Sequence, residues 1–477
     1  MNEIPDLNRR PSLIAHIRGR LFSRRMMRRM LIGLAAFVTL IALVYAEENW
    51  RGNRACEQFK RRMAAMGEVC DFSAFIPSPV PDEQNIYKAP RISEWFLDQR
   101  AIVDFPLDHP VTNDFARRLI NTNSTLEITN VPDAESYLAW SDQFQADFDT
   151  IAAALKRPAA RIMDDYSHVF SIQLPNNVSG RAVITTLEQR AKCHLLLGQA
   201  DKAWQELALM NDFRRLVDGQ GDFLTTEGDW MIRGIINHSL PVIARGIELH
   251  AWQEPQLLAL EERLRNSDVL SQHARALRCA RAALFTSVET GEFPMRALRA
   301  RRIEAGNGFQ TSFRKHPEVL LFALAPHGVL EQLFIRKSED FQRMINVYSS
   351  TNGIVRPRDA EQASSWWKRA QEGTPGLLRM QTLINEGQIA CALERYRLAR
   401  GEYPETLDAL APAFIQQLPR DIVNGEPLKY RRTDNGKFLL YSVGWNETDD
   451  GGTDVSDVSR QETLKNGDWA WVSTGMP

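Results

Sequence analysis

The chain has 477 residues, of which 44% are hydrophobic and 25% are charged, and these are ordinary values for a globular protein. They exclude a wholly disordered chain, a collagen-like fibre and a protein with many membrane spans. The net charge is -2, from 58 basic and 60 acidic side chains, a balance that argues against dedicated nucleic-acid binding. At roughly 100–200 residues per domain, the length predicts about two to four domains.

The N-terminal segment is basic and is followed by an apolar run. Residues 1–29 carry eight arginines against two carboxylates, and residues 30–46 are 17 positions without a charge. Such a run is at the short end of the ~17–25 residues of a membrane-spanning helix. An uncleaved anchor and a signal peptide cleaved after Ala46 are both open, and the long basic region favours the anchor. By the positive-inside rule we expect a single span of the inner membrane, with residues 1–29 in the cytoplasm and the bulk of the chain in the periplasm.

A juxtamembrane helix and a proline-rich linker are predicted for residues 47–110. Apolar residues recur intermittently up to Gly67, and three alternating prolines then fix an extended segment at 77–81. Cys56 and Cys70 lie close together in this region. In an oxidising compartment they form either a short disulfide loop or two unpaired thiols, and both remain open.

An α-helical domain is predicted for residues 111–375. Apolar residues recur every three or four positions over 140–155, which is the period of an amphipathic helix. Two apolar stripes separated by Leu197-Gly198 resemble one helix–turn–helix unit of a tetratricopeptide repeat. A solenoid needs about three such units, so the pattern indicates helical hairpins and leaves open whether they stack. His194, on an apolar face of the first stripe, is predicted to be a core histidine.

The last region, residues 376–477, is predicted to be a small α+β domain. A helix ending near Ala399 is followed by two β-rich runs, 428–432 and 437–443, around an Asn-Gly turn, which indicates a hairpin. The chain then enters GWNETDDGGTDVSD at 444–457. Carboxylates and glycines in such a loop can wrap a hard cation such as Ca²⁺, and a solvated acidic turn is the alternative.

This C-terminal region resembles the C-terminal part of the major pseudopilin of type II secretion. The matching positions, in chain order, are Tyr396, Tyr403-Pro404, Leu418-Pro419-Arg420-Asp421, Tyr430, Ser442-Val443-Gly444 and Gly451-Gly452. The resemblance covers about 80 of the 477 residues. It implies a calcium site whose nearest positions here are Asn446, Asp449, Asp450 and Asp454, with Asn446 standing where the family usually has Asp.

The front of the chain departs from that family. Its Gly-x-x-x-x-Glu processing site is absent ahead of residues 30–46, and a long helical domain precedes the matching region. Polymerisation of the pseudopilin kind is therefore not expected. The whole chain is also similar to long helical envelope proteins of planctomycete- or verrucomicrobium-type bacteria, a resemblance that implies no particular function.

The sequence contains no nucleophile elbow, phosphate-binding P-loop, His-Glu-x-x-His or dinucleotide-binding glycine motif. This favours a non-enzymatic, membrane-anchored interaction or scaffold protein with a protein partner, in a secretion-related role implied by the resemblance. The alternative is an extracytoplasmic hydrolase whose active site is assembled from dispersed residues. Trp366 and Trp367 are either packed between helices or present one ring to a partner.

Arginines cluster between residues 275 and 302. Such a cluster is a solvated helical face or a surface for anionic lipid or acidic glycan. Its members are Arg275, Arg278, Arg281, Arg296, Arg299, Arg301 and Arg302.

Overall fold

The computed structural model describes residues 24–101, 113–120, 128, 130–169, 172–218, 223–292, 325–350, 353–365, 368–433, 436–452 and 463–471. This part of the chain is mainly helical, with one long apolar N-terminal helix and a small antiparallel sheet near the C-terminus, which confirms the predicted class. Its helices are α1 (Arg24–Ala65), α2 (Ile92–Phe96), α3 (Asp114–Ile120), α4 (Val131–Ser141), α5 (Gln145–Ala154), α6 (Asn177–Leu196), α7 (Ala200–Asp212), α8 (Arg215–Asp218), α9 (Thr226–Glu248), α10 (Glu254–Arg265), α11 (Val269–Glu289), α12 (His327–Tyr348), α13 (Pro357–Ser364) and α14 (Lys368–Arg400). Its strands are β1 (Leu97–Ala101), β2 (Gln173–Pro175), β3 (Lys429–Arg432), β4 (Phe438–Ser442) and β5 (Trp469–Ala470).

Helix α1 has two halves of different character. Residues 25–47 are exposed along their whole length, and the helix is long and apolar enough to cross a membrane. Farther along, Cys56, Phe59 and Met63 are buried in one cluster with Phe285 of α11 and Ile335 of α12. Their spacing of three and four residues places them on one face of the helix. One continuous helix therefore extends from the apolar segment into the folded body.

Helices α6 and α7 form the hairpin that the two apolar stripes predicted. Gly198 ends α6 in the left-handed region, with φ 69°, which glycine adopts at little cost. Helix α9 packs on both members of this hairpin and continues through Pro241. Helix α10 packs mainly on α14, far along the chain.

The predicted helix over 140–155 is divided in the structure. Helix α4 ends at Ser141, a single 3₁₀ turn covers residues 142–144, and α5 then continues to Ala154. The apolar residues of the pattern still face the core, because Phe144, Phe148 and Ile151 are buried. The spacing of the apolar residues thus identified the buried face correctly, although a 3₁₀ turn divides the predicted α-helix into two.

The C-terminal sheet has the order β3–β4–β5, and both pairs are antiparallel. Tyr430 pairs with Leu440 and Ser442 pairs with Trp469. The hairpin of β3 and β4 confirms the prediction, and its two turn residues, 434 and 435, lie outside the described part. A second, two-stranded sheet joins β1 to β2, and no sequence signal indicated it.

The sheet and the helical body share one core. Leu440 and Trp469 of the sheet belong to the same buried cluster as Ile235 of α9 and Leu260 of α10. The link is α14, which begins at Lys368, nine residues before the predicted start near Leu377, and packs on α9, α10 and α11. The C-terminal region is therefore docked on the body.

Candidate functional site

Helices α1 and α12 meet at two glycines just beyond the apolar segment. A Cβ on Gly52 would lie 2.2 Å from the Cα of Gly328, and a Cβ on Gly328 would lie 1.9 Å from the carbonyl oxygen of Glu48. The backbone N–H of Gly328 donates to Oδ1 of Asn49 at 2.9 Å. Only glycine permits so close an approach of two backbones. The body is therefore in contact with α1 at the point where the apolar segment ends.

A buried ion cluster holds the far end of α1. The Arg281 side chain is 0% exposed, and it donates to Oε2 of Glu68 at 2.8 Å and to the carbonyl oxygen of Val69 at 2.9 Å. Arg278 Nε donates to both oxygens of Glu68, at 3.0 and 3.2 Å. Burial alone would raise the pKa of Glu68, but the two arginines hold it below its usual value. Glu68 is thus a charged tie between the end of α1 and α11.

The contacts also fix the directions of these helices. Gly328 lies beside Asn49, and Glu339 pairs with Arg62, so α12 runs parallel to α1 and starts at its apolar end. Helix α11 runs the other way: Arg281 meets Glu68, and Glu289 lies 2.5 Å from Nζ of Lys60. The last residues of α11 and the first of α12 are therefore at the end of the bundle nearest the apolar segment.

Three of the seven arginines between residues 275 and 302 form ion pairs inside the body, and the other four lie outside the described residues. Nη2 of Arg275 pairs with Oδ1 of Asp218 at 2.9 Å, and Arg278 and Arg281 pair with Glu68. The prediction of a solvated or lipid-binding face is wrong for Arg281, because its guanidinium is fully buried among internal partners. Arg296, Arg299, Arg301 and Arg302 lie outside the described residues.

Three of the four predicted calcium ligands are in the described part of the acidic loop. Asn446 Nδ2 donates to Oδ2 of Asp450 at 3.0 Å. Asp449 Oδ1 accepts from the Tyr441 hydroxyl at 3.0 Å, and its Oδ2 lies 3.7 Å from Nζ of Lys429. Asp454 lies outside the described residues. Within the described ranges, no group of three His, Cys, Asp or Glu side chains has the spacing of a metal site.

Beneath the loop lies a carboxylate that was not predicted. The Asp468 residue is 0% exposed, and its Oδ2 accepts from the backbone N–H of Gly452 at 2.6 Å. Its Oδ1 is buried without a hydrogen-bond partner among the described residues. Burial raises the pKa of Asp468, and the charges of Asp449 and Asp450 raise it further. A buried oxygen of this kind fits a hard cation, and only its position between Gly467 and a Trp-Ala-Trp strand marked it in the sequence.

A second buried carboxylate joins the C-terminal region to the body. Glu394 of α14 is 0% exposed. It accepts from the Tyr403 hydroxyl at 2.7 Å and from two nitrogens of Arg397 at 2.7 and 2.9 Å, and Nδ1 of His250 lies 2.9 Å away. Burial and the neighbouring Glu394 raise the pKa of Tyr403, so its hydroxyl keeps its proton and donates. These contacts therefore join three parts of the chain: His250 in the turn after α9, Glu394 and Arg397 in α14, and Tyr403 just after α14.

Comparison with protein-family models, with curated proteins and with solved structures finds no match to this chain.

Carboxylate–histidine pairs connect several helices. Oε2 of Glu188 lies 2.5 Å from Nδ1 of His238, which joins α6 to α9. Oδ2 of Asp229 lies 2.9 Å from Nδ1 of His273, which joins α9 to α11. In both pairs the carboxylate is buried. A carboxylate and the histidine that it orients are two of the three members of a hydrolytic triad. If the protein were a hydrolase, these pairs would be the candidates for its acid and base.

Two concavities in the helical body lie apart from those pairs. A small cavity of about 20 Å³ lies mainly between α9 and α10, where apolar Leu240 and Leu260 and polar Ser239 and Arg263 line it. An open cleft of about 440 Å³ lies between the α6–α7 turn and the turn before α10, where Gln199, Lys202 and Gln253 line it. The first holds about one water molecule, and the second is a polar surface hollow.

The other residues singled out in the sequence are a histidine, two cysteines and two tryptophans. His194 is buried, and its Nδ1 lies 2.9 Å from Oε1 of Gln199, which confirms a core histidine. Cys56 and Cys70 are free thiols in one buried cluster. Trp366 and Trp367 lie outside the described residues.

Proposed function

We propose that the protein is a non-enzymatic scaffold of the bacterial envelope, anchored in the inner membrane by residues 30–46. Residues 1–29 are then cytoplasmic, and the helical body and C-terminal sheet are periplasmic. The observation that carries this proposal is the single helix α1, which is exposed and apolar in one half and buried in the body in the other. A helix built in this way transmits the position of the membrane directly to the body.

The same helix supports the anchor over the cleaved signal peptide. Ala46 lies inside α1, and Glu48 and Asn49, two and three residues later, already contact α12. Cleavage after Ala46 would leave Glu48 and Asn49, which contact α12, in the first turn of a newly cut helix. The backbone N–H groups of such a turn lack helical partners, so the cut would weaken this contact.

The C-terminal sheet is proposed to be a calcium-supported module of pseudopilin type that presents the protein to a partner in the secretion apparatus. The hairpin of β3 and β4 and the buried Asp468 beneath the acidic loop support this proposal. The residues that would hold the cation are Asn446, Asp449, Asp450, Asp454 and Asp468. A bound Ca²⁺ would neutralise these carboxylates and fix the loop.

Membrane fractionation of the full chain tests the anchor. We expect the chain to sediment with inner membranes after a salt wash and an alkaline wash, and to keep its N-terminus. Leu40→Arg, within the apolar half of α1, should release it, whereas Leu258→Arg, at an exposed leucine of α10, should not. Release of the unchanged chain by either wash, or a mature N-terminus at Glu47, contradicts the proposal.

The second candidate function is an extracytoplasmic hydrolase, and the Asp229–His273 pair is the observation that favours it. Replacing His273 by alanine separates the two. A catalytic pair predicts loss of ester or amide hydrolysis at unchanged melting temperature, whereas a joint between helices predicts a lower melting temperature.

A further inference from the structure

The end of the helical bundle nearest the apolar segment has a fixed height above the membrane. At 1.5 Å per residue, Asn49 and Trp50 stand about 4.5 and 6 Å beyond Ala46 along α1. The first turn of α12 is at the same level, because the N–H of Gly328 donates to Asn49. The headgroup layer of each leaflet is about 5–8 Å thick, from a ~30 Å hydrocarbon core in a bilayer of ~40–45 Å. The first turn of α12 therefore lies at the height of the lipid headgroups.

Large apolar side chains are exposed at this height. Trp50 is 57% exposed on α1, with the Arg54 guanidinium 5.6 Å from its ring centre, and Val329 is 39% exposed on α12. Leu333, one turn farther along α12 and about 12 Å beyond Ala46, is 36% exposed just above this level. Single exposed apolar residues are ordinary on a protein surface. Here, however, they occur at the level where tryptophan and aliphatic side chains are stable against headgroups and upper acyl chains.

The body cannot swing away from this level. The glycine contact at Gly52 and Gly328 holds α12 against α1 near the membrane, and Glu68 holds the other end of α1 to Arg278 and Arg281. The two ties are 16 residues apart, and the helix is continuous from the apolar segment to Ala65, so the described residues contain no hinge between anchor and body. The bilayer that surrounds the apolar half of α1 therefore also meets these exposed side chains.

We propose that the protein has a second membrane contact, in which Trp50 on α1 and Val329 on α12 lie in the lipid headgroup layer. This inference rests on the proposed anchoring. It goes beyond that anchoring, because it makes the bilayer a binding partner of the body and fixes how the scaffold stands on the membrane.

A depth series along one face of α12 tests this contact. Val329, Leu333, Arg336 and Arg343 are exposed and follow the i, i+4, i+7, i+14 pattern of a single helix face. Each is replaced by cysteine in the full chain and labelled with an environment-sensitive fluorophore. The chain is reconstituted into vesicles of phosphatidylethanolamine and phosphatidylglycerol that carry a nitroxide on the headgroup. The unsubstituted chain, whose five cysteines are buried, supplies the labelling background.

We expect quenching to be strongest at Val329, weaker at Leu333 and Arg336, and lost at Arg343, which lies about 21 Å farther from the bilayer. If the chain floats with the vesicles but the label at Val329 is quenched no more than that at Arg343, the second contact is overturned and the anchor stands. Equal strong quenching at all four positions overturns it as well, because α12 would then lie flat on the membrane. A chain that does not float with the vesicles overturns the anchor and the contact together.

Discussion

At the scale of single residues, the most informative side chains are buried carboxylates whose surroundings differ. Glu68 and Asp229 have cationic or hydrogen-bonding partners that hold their pKa values below the usual range, although burial opposes this. Asp468 has an oxygen without a partner in the described part, and burial raises its pKa. The first two therefore stabilise the fold as anions, whereas burial disfavours the ionised form of Asp468.

Asp468→Asn should raise the melting temperature of the chelator-treated, detergent-solubilised chain by roughly 1–3 °C. The physical reason is that asparagine keeps an acceptor for the Gly452 N–H but carries no charge. Because the pKa of Asp468 is raised in the fold, the penalty is present above that pKa and is relieved as the pH falls through it. The gain should therefore shrink on acidification. Asp408→Asn, at an exposed carboxylate of the same region, is the control and should change nothing.

Calcium should raise the melting temperature of the unchanged chain above its value in chelator. The rise should be lost in Asp468→Asn and in Asp450→Asn, because each removes a proposed ligand charge, and should persist in Asp408→Asn. An equal melting temperature with calcium and with chelator would show that the acidic loop needs no metal.

His273→Ala should reduce the free energy of unfolding by about 1–3 kcal/mol at neutral pH, since Asp229 is buried and loses a partner. A carboxylate with a lowered pKa contributes its stability above its unfolded value and loses it as the pH falls through the folded one. The difference between variant and unchanged chain should therefore disappear in acid. His168→Ala, at an exposed histidine, is the matched control. An unchanged denaturation midpoint for His273→Ala at neutral pH would contradict a structural role.

At the scale of elements, the contact between α1 and α12 depends on glycine. Gly52→Ala should destabilise the body by about 1–3 kcal/mol, because its Cβ would overlap the backbone of Gly328 and overpacking forces the helices apart. Gly33→Ala is a control in the same helix, since nothing lies within 4 Å of its added Cβ. Chemical denaturation in detergent compares the two. A loss of stability no greater for Gly52→Ala than for Gly33→Ala would disprove the close contact.

The elements also show what local sequence can and cannot predict. The apolar half of α1, the α6–α7 hairpin with Gly198 and the β3–β4 hairpin were predicted, because composition, period and turn residues are local signals. The pairing of α10 with α14 and of β1 with β2 depends on residues more than 70 positions apart, and no local pattern encodes it. The acidic loop follows the same rule. Its carboxylates are adjacent in one segment of the sequence, whereas Asp468 is brought beneath the loop only by the pairing of β4 with β5.

At the scale of the whole molecule, α14 makes the C-terminal region part of the body. Besides the Glu394 joint, Arg395 pairs with Glu254 at 2.8 Å and with Glu261 at 2.9 Å, both on α10. Residues 376–477 were predicted as a small α+β domain, with its docking on the body left open, and in the structure they share a core with the helical body. We therefore expect a fragment of residues 376–477 to lack cooperative unfolding by circular dichroism, because it exposes the face of α14 that α10 covers. A sharp unfolding transition of that fragment would establish independent folding.

The long separation between α1 and its partners also sets the order of events during synthesis. Phe59 needs Phe285 and Ile335 as neighbours, and these are made more than 220 residues later. At ~5–20 residues per second, that interval is roughly 10–50 s. In the proposed topology, α1 enters the membrane during this interval, while the face that carries Phe59 has no cover. We then expect a holdase or the bilayer surface to cover that face until α11 and α12 have been made.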